Sequence, residues 1–369
     1  MDIVLLVASL GLILLGAELF TNGIEWFGHK LNLAEGAVGS VLAAVATAMP
    51  ETLIPVIAIV GPLVVGGHPG ESAEVGVGAI LGAPFMLSTL AMFVTGLGVV
   101  LVTRGGRRTN QLNVNVRVLA RDVLVFLGAY AAAVGTAFLP PSVHWLKWPV
   151  AAGLLVAYAV YVRAHFSDEA EESDPADLNR LHLTRLRSQS RVSASGSDAP
   201  DGDPPVAVAV PRLRVIITQV LLALAAIIVG AQVFVGAVEE LSRTVGLDPR
   251  ILALVLAPIA TELPEKLNSL LWVRVGKDTL AMGNITGAMV FQSCIPTVLG
   301  IAFTEWAFTE QSALSFASAG AAFVATILIF GTMFRVGRLS AWTLLIGGPI
   351  YALYVFAALT LPVPLAAAH

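Results

Sequence analysis

The chain has 369 residues, of which 57% are hydrophobic and 12% charged, with a formal net charge of -4 and a mean hydropathy of +0.84. That composition excludes a soluble globular domain. Plentiful Gly (34) and Pro (20) with few aromatics suit packed, locally broken spanning helices better than a lipid-facing barrel of alternating strands.

A spanning helix needs about 20 mostly apolar residues, and ten stretches qualify: 3–27, 36–62, 74–101, 119–139, 145–163, 212–238, 249–273, 279–304, 313–334 and 339–361. The first has neither a basic leader nor a small-residue cleavage site, so it is expected to be a retained span. Glu18, Asn22 and Glu25 share one of its faces. Glu18 and Asn22 are candidates to line an access path, whereas Glu25 fits a cap or interface role. Asp122, beside Arg117 and Arg121, reads as a helix start at the membrane rim. Between the fifth and sixth spans lies a Ser-, Pro- and acid-rich segment that cannot bury a core. The chain therefore divides into a first five-helix half (1–163), a disordered linker (164–211) and a second five-helix half (212–369). Within the linker, "LNRLHLTRLRSQ" has the composition of a short basic helix lying on anionic lipid. Cys294 stands alone, which removes disulfides and thiolate metal sites as organising features.

Counting Lys and Arg in alternate loops gives a large excess on the linker side, so the linker is expected in the cytoplasm and both termini outside. Of the Lys and Arg residues, Lys266 alone falls deep within a span, the others lying in loops or at span ends. Sliding the chain by 214 residues aligns "GAELF" at 16 with "GAQVF" at 230 and "SVLAAVATAMPE" at 40 with "LVLAPIATELPE" at 254. Twelve of the thirty-six positions from Gly16 to Glu51 are then identical without a gap. The next helix repeats as "GVGAILGAPF" at 76 against "AMGNITGAMVF" at 281. Because five helices per half is odd, the halves enter the membrane in opposite directions. This gives an all-α membrane protein of ten transmembrane helices in two inverted five-helix repeats, a plan that places binding sites near the midplane.

Each half carries a Pro-Glu pair at that depth. Pro50 and Pro264 withhold the helical hydrogen bond from the carbonyls of Ala46 and Ala260, which survive in a membrane only inside protein or against a wet cavity. Thr47 shares a face with Glu51, as does Thr261 with Glu265, and Glu262 lies three residues before Glu265. Three carboxylates, two hydroxyls and loose carbonyls form an all-oxygen set for a hard cation such as Ca2+. No His or Cys cluster in any span favours Zn2+ or Cu+. Ionisable groups at midspan cost about 2.5–3.5 kcal/mol each on insertion scales, so three at one depth mark a site. Lys266, four residues after Glu262, can instead pair with it and tune its charge. Gly76, Gly78, Gly82, Gly283 and Gly287 read chiefly as packing positions. Gln292 is the best additional ligand, in a helix that also offers Asn284, Thr286 and Ser293.

With these motifs in hand, the chain resembles the cation/Ca2+ antiporter superfamily, and the Na+/Ca2+ exchanger branch in particular. That family carries a G-T-S-L-P-E type motif in its second and seventh helices and a G-S-N-x-F-(N/D) type motif in its third and eighth. The resemblance implies Thr47 and Glu51 in "ATAMPE", and Thr261 and Glu265 in "ATELPE", as ion ligands. It also implies alternating access, with the first and sixth helices sliding on a fixed bundle. The chain departs from the pattern at Ala48 and Glu262 in place of serine, at Pro84 and Leu87, and at Met289 and Gln292. Fewer neutral oxygens and an added acid favour a divalent cation with exchangeable protons, since clustered acids hold protons more tightly.

The expected function is thus exchange of a divalent cation, Ca2+ first, for Na+ or H+ across the plasma membrane. No cofactor, catalytic residue or nucleic acid is called for; the partners are lipid and inorganic cations. A passive channel would need a continuous polar lining, and an intramembrane metal enzyme would need His ligands or a nucleophile.

Overall fold

The computed structural model of the protein describes residues 2–30, 45, 48–65, 69–104, 109–167, 181–183, 211–245, 269–270, 272–274, 276, 278–310 and 312–360. The principal helices are α1 (Asp2–Lys30), α2 (Met49–Val65), α3 (Pro69–Met86), α4 (Met92–Arg104), α5 (Val116–Gly135), α6 (Lys147–Ser167), α7 (Leu213–Val245), α8 (Asp278–Phe303), α9 (Ala313–Val336), α10 (Ala341–Leu344) and α11 (Gly347–Thr360). A π-helical turn, Leu87–Ala91, joins α3 to α4 as one long span. Eight helical stretches among the described residues are long and apolar enough to cross a membrane, and the apolar part of α2, Glu51–Pro62, is shorter. They coincide with eight of the ten expected spans. Of the expected span at 249–273, only positions 269–270 and 272–273 are described, and those are helical.

Local sequence accounts for the helix ends. Asn115 caps α5, its side chain accepting from the backbone N–H groups of Arg117 and Val118 at 3.1 and 3.3 Å. Gly337 closes α9 in the left-handed conformation, φ 69°, a position that favours glycine. The connections then tie one end of the bundle together. β1 (Gln111–Leu112) pairs antiparallel with β2 (Leu339–Ser340), and the Asn113 N–H donates to Asp278 Oδ2 at 2.7 Å. At the other end of α5, the Phe308 N–H donates to the Ala137 carbonyl at 2.9 Å.

α3 and α8 lie at the centre, α8 packing against α2, α3, α5 and α6. The outer helices turn apolar side chains outward, for example Val156 and Val160 of α6, Leu221 and Leu222 of α7, and Leu353 and Phe356 of α11. Such a surface suits a hydrocarbon solvent, in which apolar exposure costs nothing.

α1 and α7 form a separate pair against α2 and α3. A Cβ added at Gly16 would lie 2.7 Å from Ile227 and 3.1 Å from the Ala223 carbonyl; one added at Gly230 would lie 2.7 Å from Ile13 and 3.2 Å from the Ser9 carbonyl. Gly23 meets Val220 in the same way. Residue numbers rise on one helix as they fall on the other, so the pair is antiparallel. The two contacts are also reciprocal, because each member of one lies 214 positions from a member of the other. Small residues here let the backbones approach, the usual basis of helix association in lipid. Gly16→Ala and Gly230→Ala should each destabilise the fold by about 1–3 kcal/mol. Gly11→Ala and Gly236→Ala, where the added methyl meets nothing within 4 Å, should not. Melting in detergent checks this, and equal effects at all four positions would dismiss the close crossing.

Candidate cation site

The helical break expected at "ATAMPE" falls at the start of α2. Ala48 lies in a turn and the helix begins at Met49, placing Pro50 in the first turn, where its missing N–H leaves no ladder bond unmade. Glu51 follows in that same turn. Its side chain is buried, at 5% exposure. The Ala48 carbonyl accepts from the Thr52 N–H at 3.2 Å and the Thr52 hydroxyl at 2.8 Å. It also accepts from Gln292 Nε2 at 3.4 Å. α8 of the second half therefore delivers Gln292, 1% exposed, to the turn of the first half that carries Glu51.

Prolines loosen both helices at this level. Pro55 stands four residues after Glu51, and Pro296 four after Gln292, so neither the Glu51 nor the Gln292 carbonyl receives a helical N–H from that position. The π-helical turn Leu87–Ala91 has the same effect on the third span. In the register that aligns "GAPFML" with "GAMVFQ", it corresponds to Gln292–Pro296. Both halves thus open their backbone ladders at equivalent residues, one by a π turn and one by a proline. Hydroxyls donate to carbonyls nearby: Ser88 to that of Phe85 at 3.1 Å, and Tyr130 and Ser318 to that of Leu81 at 3.4 and 3.2 Å. The spacing of proline four residues after a candidate ligand was legible in the sequence and went unread, whereas nothing in the sequence marked the π turn.

Thr47, Thr261, Glu262, Glu265 and Lys266 lie outside the described residues. Among the described residues no group of three His, Cys, Asp or Glu side chains forms a metal cluster. Asn284, Thr286 and Ser293 are buried in α8. Thr286 and Ser293 make bonds of their own, Ser293 to the Val290 carbonyl at 2.8 Å. Gly76 packs against Ile59 of α2, a packing role as expected.

Glu18 and Asn22 meet the linker. Asn22 is buried and accepts from Gln219 Nε2 at 3.0 Å and from the His182 N–H at 3.2 Å. Gln219 accepts in turn from the Leu183 N–H at 3.0 Å. His182 Nε2 lies 3.6 Å from Glu18 Oε1, which is largely exposed. Leu181 is fully buried against Trp26 and Ile216. This corrects the expectation of a lipid-surface helix for residues 181–183, whose leucine and backbone donors find partners on α1 and α7 instead. Asp122 is a second correction: it sits in the second turn of α5, fully buried, with partners on α6 and α8, rather than at a solvated rim.

A family model described as sodium/calcium exchanger protein matches residues 1–166 and 215–360, and the chain belongs to that family, one of membrane transporters rather than enzymes. Among solved structures, an H+/Ca2+ exchanger, CAX, is similar at a TM-score of 0.71 and 15% identity, covering 98% of this chain and 82% of its own. The sodium-calcium exchanger NCX_Mj, soaked with 10 mM Na+ and zero Ca2+, is similar at 0.57 and 16% identity, covering 98% and 99%. These likenesses establish the fold. No curated protein matches the chain.

Gln292→Leu keeps the volume and removes the donor to the Ala48 carbonyl. It should raise the cation concentration for half-maximal flux by roughly twofold to tenfold, the equivalent of ~0.5–1.5 kcal/mol, with little change in melting. An unchanged flux curve would leave the amide a packing group.

Proposed function

We propose that this protein is a secondary-active antiporter that exchanges Ca2+, or another divalent cation, for Na+ or H+ at a carboxylate site near the membrane midplane. The observation that carries the reading is the buried Glu51 in the first turn of α2, next to a turn reached by Gln292 from the second half. A carboxylate kept in such a place has a charge to meet, and an oxygen-rich surrounding selects a hard cation. Glu51 and Glu265 are the central ligands, Thr47, Thr261 and Gln292 supply neutral oxygens, and Glu262 is a third acid or a proton carrier tempered by Lys266. Exchange follows when competing cations share one anionic site open to one side at a time.

Ten spans in two inverted halves complete the proposal. The reciprocal antiparallel contact of α1 with α7 supports it, as does the matched loosening of the third and eighth spans. The basic loops put the linker in the cytoplasm and both termini outside. Divalent-ion selectivity rests on the added acid at Glu262 and on the neutral oxygens missing at Ala48, Pro84, Leu87 and Met289.

Flux into proteoliposomes tests the reading. Counterflow of labelled Ca2+ should follow an imposed Na+ or pH gradient, and the gradient that drives it names the counter-ion. Glu51→Gln and Glu265→Gln should each reduce exchange to background while the protein still melts cooperatively; wild-type rates in either would remove that residue from the site. Lys266→Ala should alter divalent preference and pH profile, and if neither moves, Lys266 is structural.

A further inference from the structure

A second buried carboxylate lies away from Glu51 and Gln292. Asp122 of α5 has no exposed surface, and two hydroxyl donors and an imidazole approach it from two other helices. Tyr161 of α6 donates its hydroxyl to Oδ1 at 3.0 Å. Thr286 of α8 lies 2.6 Å from Oδ2. His165, one turn after Tyr161 on α6 and 6% exposed, brings Nε2 to 3.3 Å from Oδ1.

The imidazole decides how many protons the cluster holds. Its Nδ1 faces the Tyr161 carbonyl at 3.2 Å, which can only accept, so Nδ1 carries a hydrogen. Its Nε2 faces a carboxylate oxygen, which also only accepts when ionised. A neutral ring beside an ionised Asp122 would set two lone pairs against each other in a buried site. One further proton resolves this, and the geometry offers it two seats. On Nε2 it makes an imidazolium–carboxylate pair. On Oδ2 it donates to the Thr286 hydroxyl, which turns to the Met282 carbonyl 3.0 Å away. Among the described residues, the groups facing His165 are Asp122 and Arg121 from α5 and Tyr161 from its own helix, and α8 presents the Thr286 hydroxyl to Asp122. The neighbouring ionisable groups of α6 are Arg163, exposed two residues before His165, and Tyr158, stacked on Tyr161.

We propose that Asp122 and His165 form a proton-binding site, separate from the cation site, whose bound proton fastens α5 and α6 to α8. Because α8 carries Gln292 six residues beyond Thr286, about 9 Å along the helix, an empty site loosens the support of the cation site. His165 lies in the last turn of α6, where the linker begins. The sign follows from linkage. A proton held by the folded bundle and absent from the unfolded chain contributes stability at low and neutral pH that is lost as pH rises through the site.

The test reads the proton directly, on the full chain in nanodiscs, with nitrogen-15 histidine resonances and infrared carboxyl bands at about pH 7, where free imidazole is largely neutral. The expected result is either a doubly protonated His165 ring or a protonated-carboxyl band that Asp122→Asn removes. A neutral His165 ring with no such band overturns the proposal. In Asp122→Asn the amide nitrogen, with two hydrogens, can donate to Nε2 and to the Tyr161 oxygen, and its oxygen can accept from Thr286, so no extra proton is needed between the ring and residue 122. The variant's melting temperature should change less than that of wild type between about pH 7 and about pH 10. Identical pH dependence in the two proteins would also overturn the site. Neither readout involves Ca2+ flux, so failure here leaves the antiport reading standing, and the reverse holds.

Discussion

Inside the hydrocarbon layer a polar group has no solvent to return to, and each must be satisfied by protein. This constraint orders the molecule. Backbone N–H and C=O groups are consumed by helices, and where a π turn breaks the ladder, a hydroxyl steps in. Ser88 does so beside the π turn, while Tyr130, Ser318 and Gln292 donate to backbone carbonyls elsewhere in the central bundle. Where polar side chains cluster beyond what the backbone requires, around Glu51 and around Asp122, the excess marks chemistry.

The two clusters solve the problem differently. Glu51 sits at a helix start, in a region whose carbonyls are left loose by prolines. That arrangement suits a charge that comes and goes. Asp122 is buried and approached by a phenol, a hydroxyl and an imidazole from α6 and α8. It suits a proton, the one cation that needs no cavity.

Much of this was legible in the sequence. Apolar length located eight of the observed helices to within a few residues, because a bilayer imposes a length that composition reports faithfully. The 214-residue repeat set Gly16 against Gly230 in the alignment, but that α1 and α7 pack on each other, with Ile227 against Gly16 and Ile13 against Gly230, is seen only in the fold. Gln292 was found through its place in a repeated motif. What escaped were features that depend on neighbours distant in sequence. Asp122 looked like a rim residue because its partners, Tyr161, His165 and Thr286, lie 39 to 164 positions away. Leu181 and its flanking amides looked solvated because their acceptors, Asn22 and Gln219, belong to helices on either side of the linker. The π turn at Leu87–Ala91 has no compositional mark at all.

The crossing of α1 with α7 carries one more consequence. Gly16 meets Ile227 as Gly230 meets Ile13, so each helix offers its partner the same patch that it receives. A surface of this kind is self-complementary: it satisfies the geometric condition for isologous pairing of identical subunits about a twofold axis. A contact that now lies within one polypeptide therefore has the form of a homodimer seam, and a change at one glycine falls on only one of its two equivalent halves.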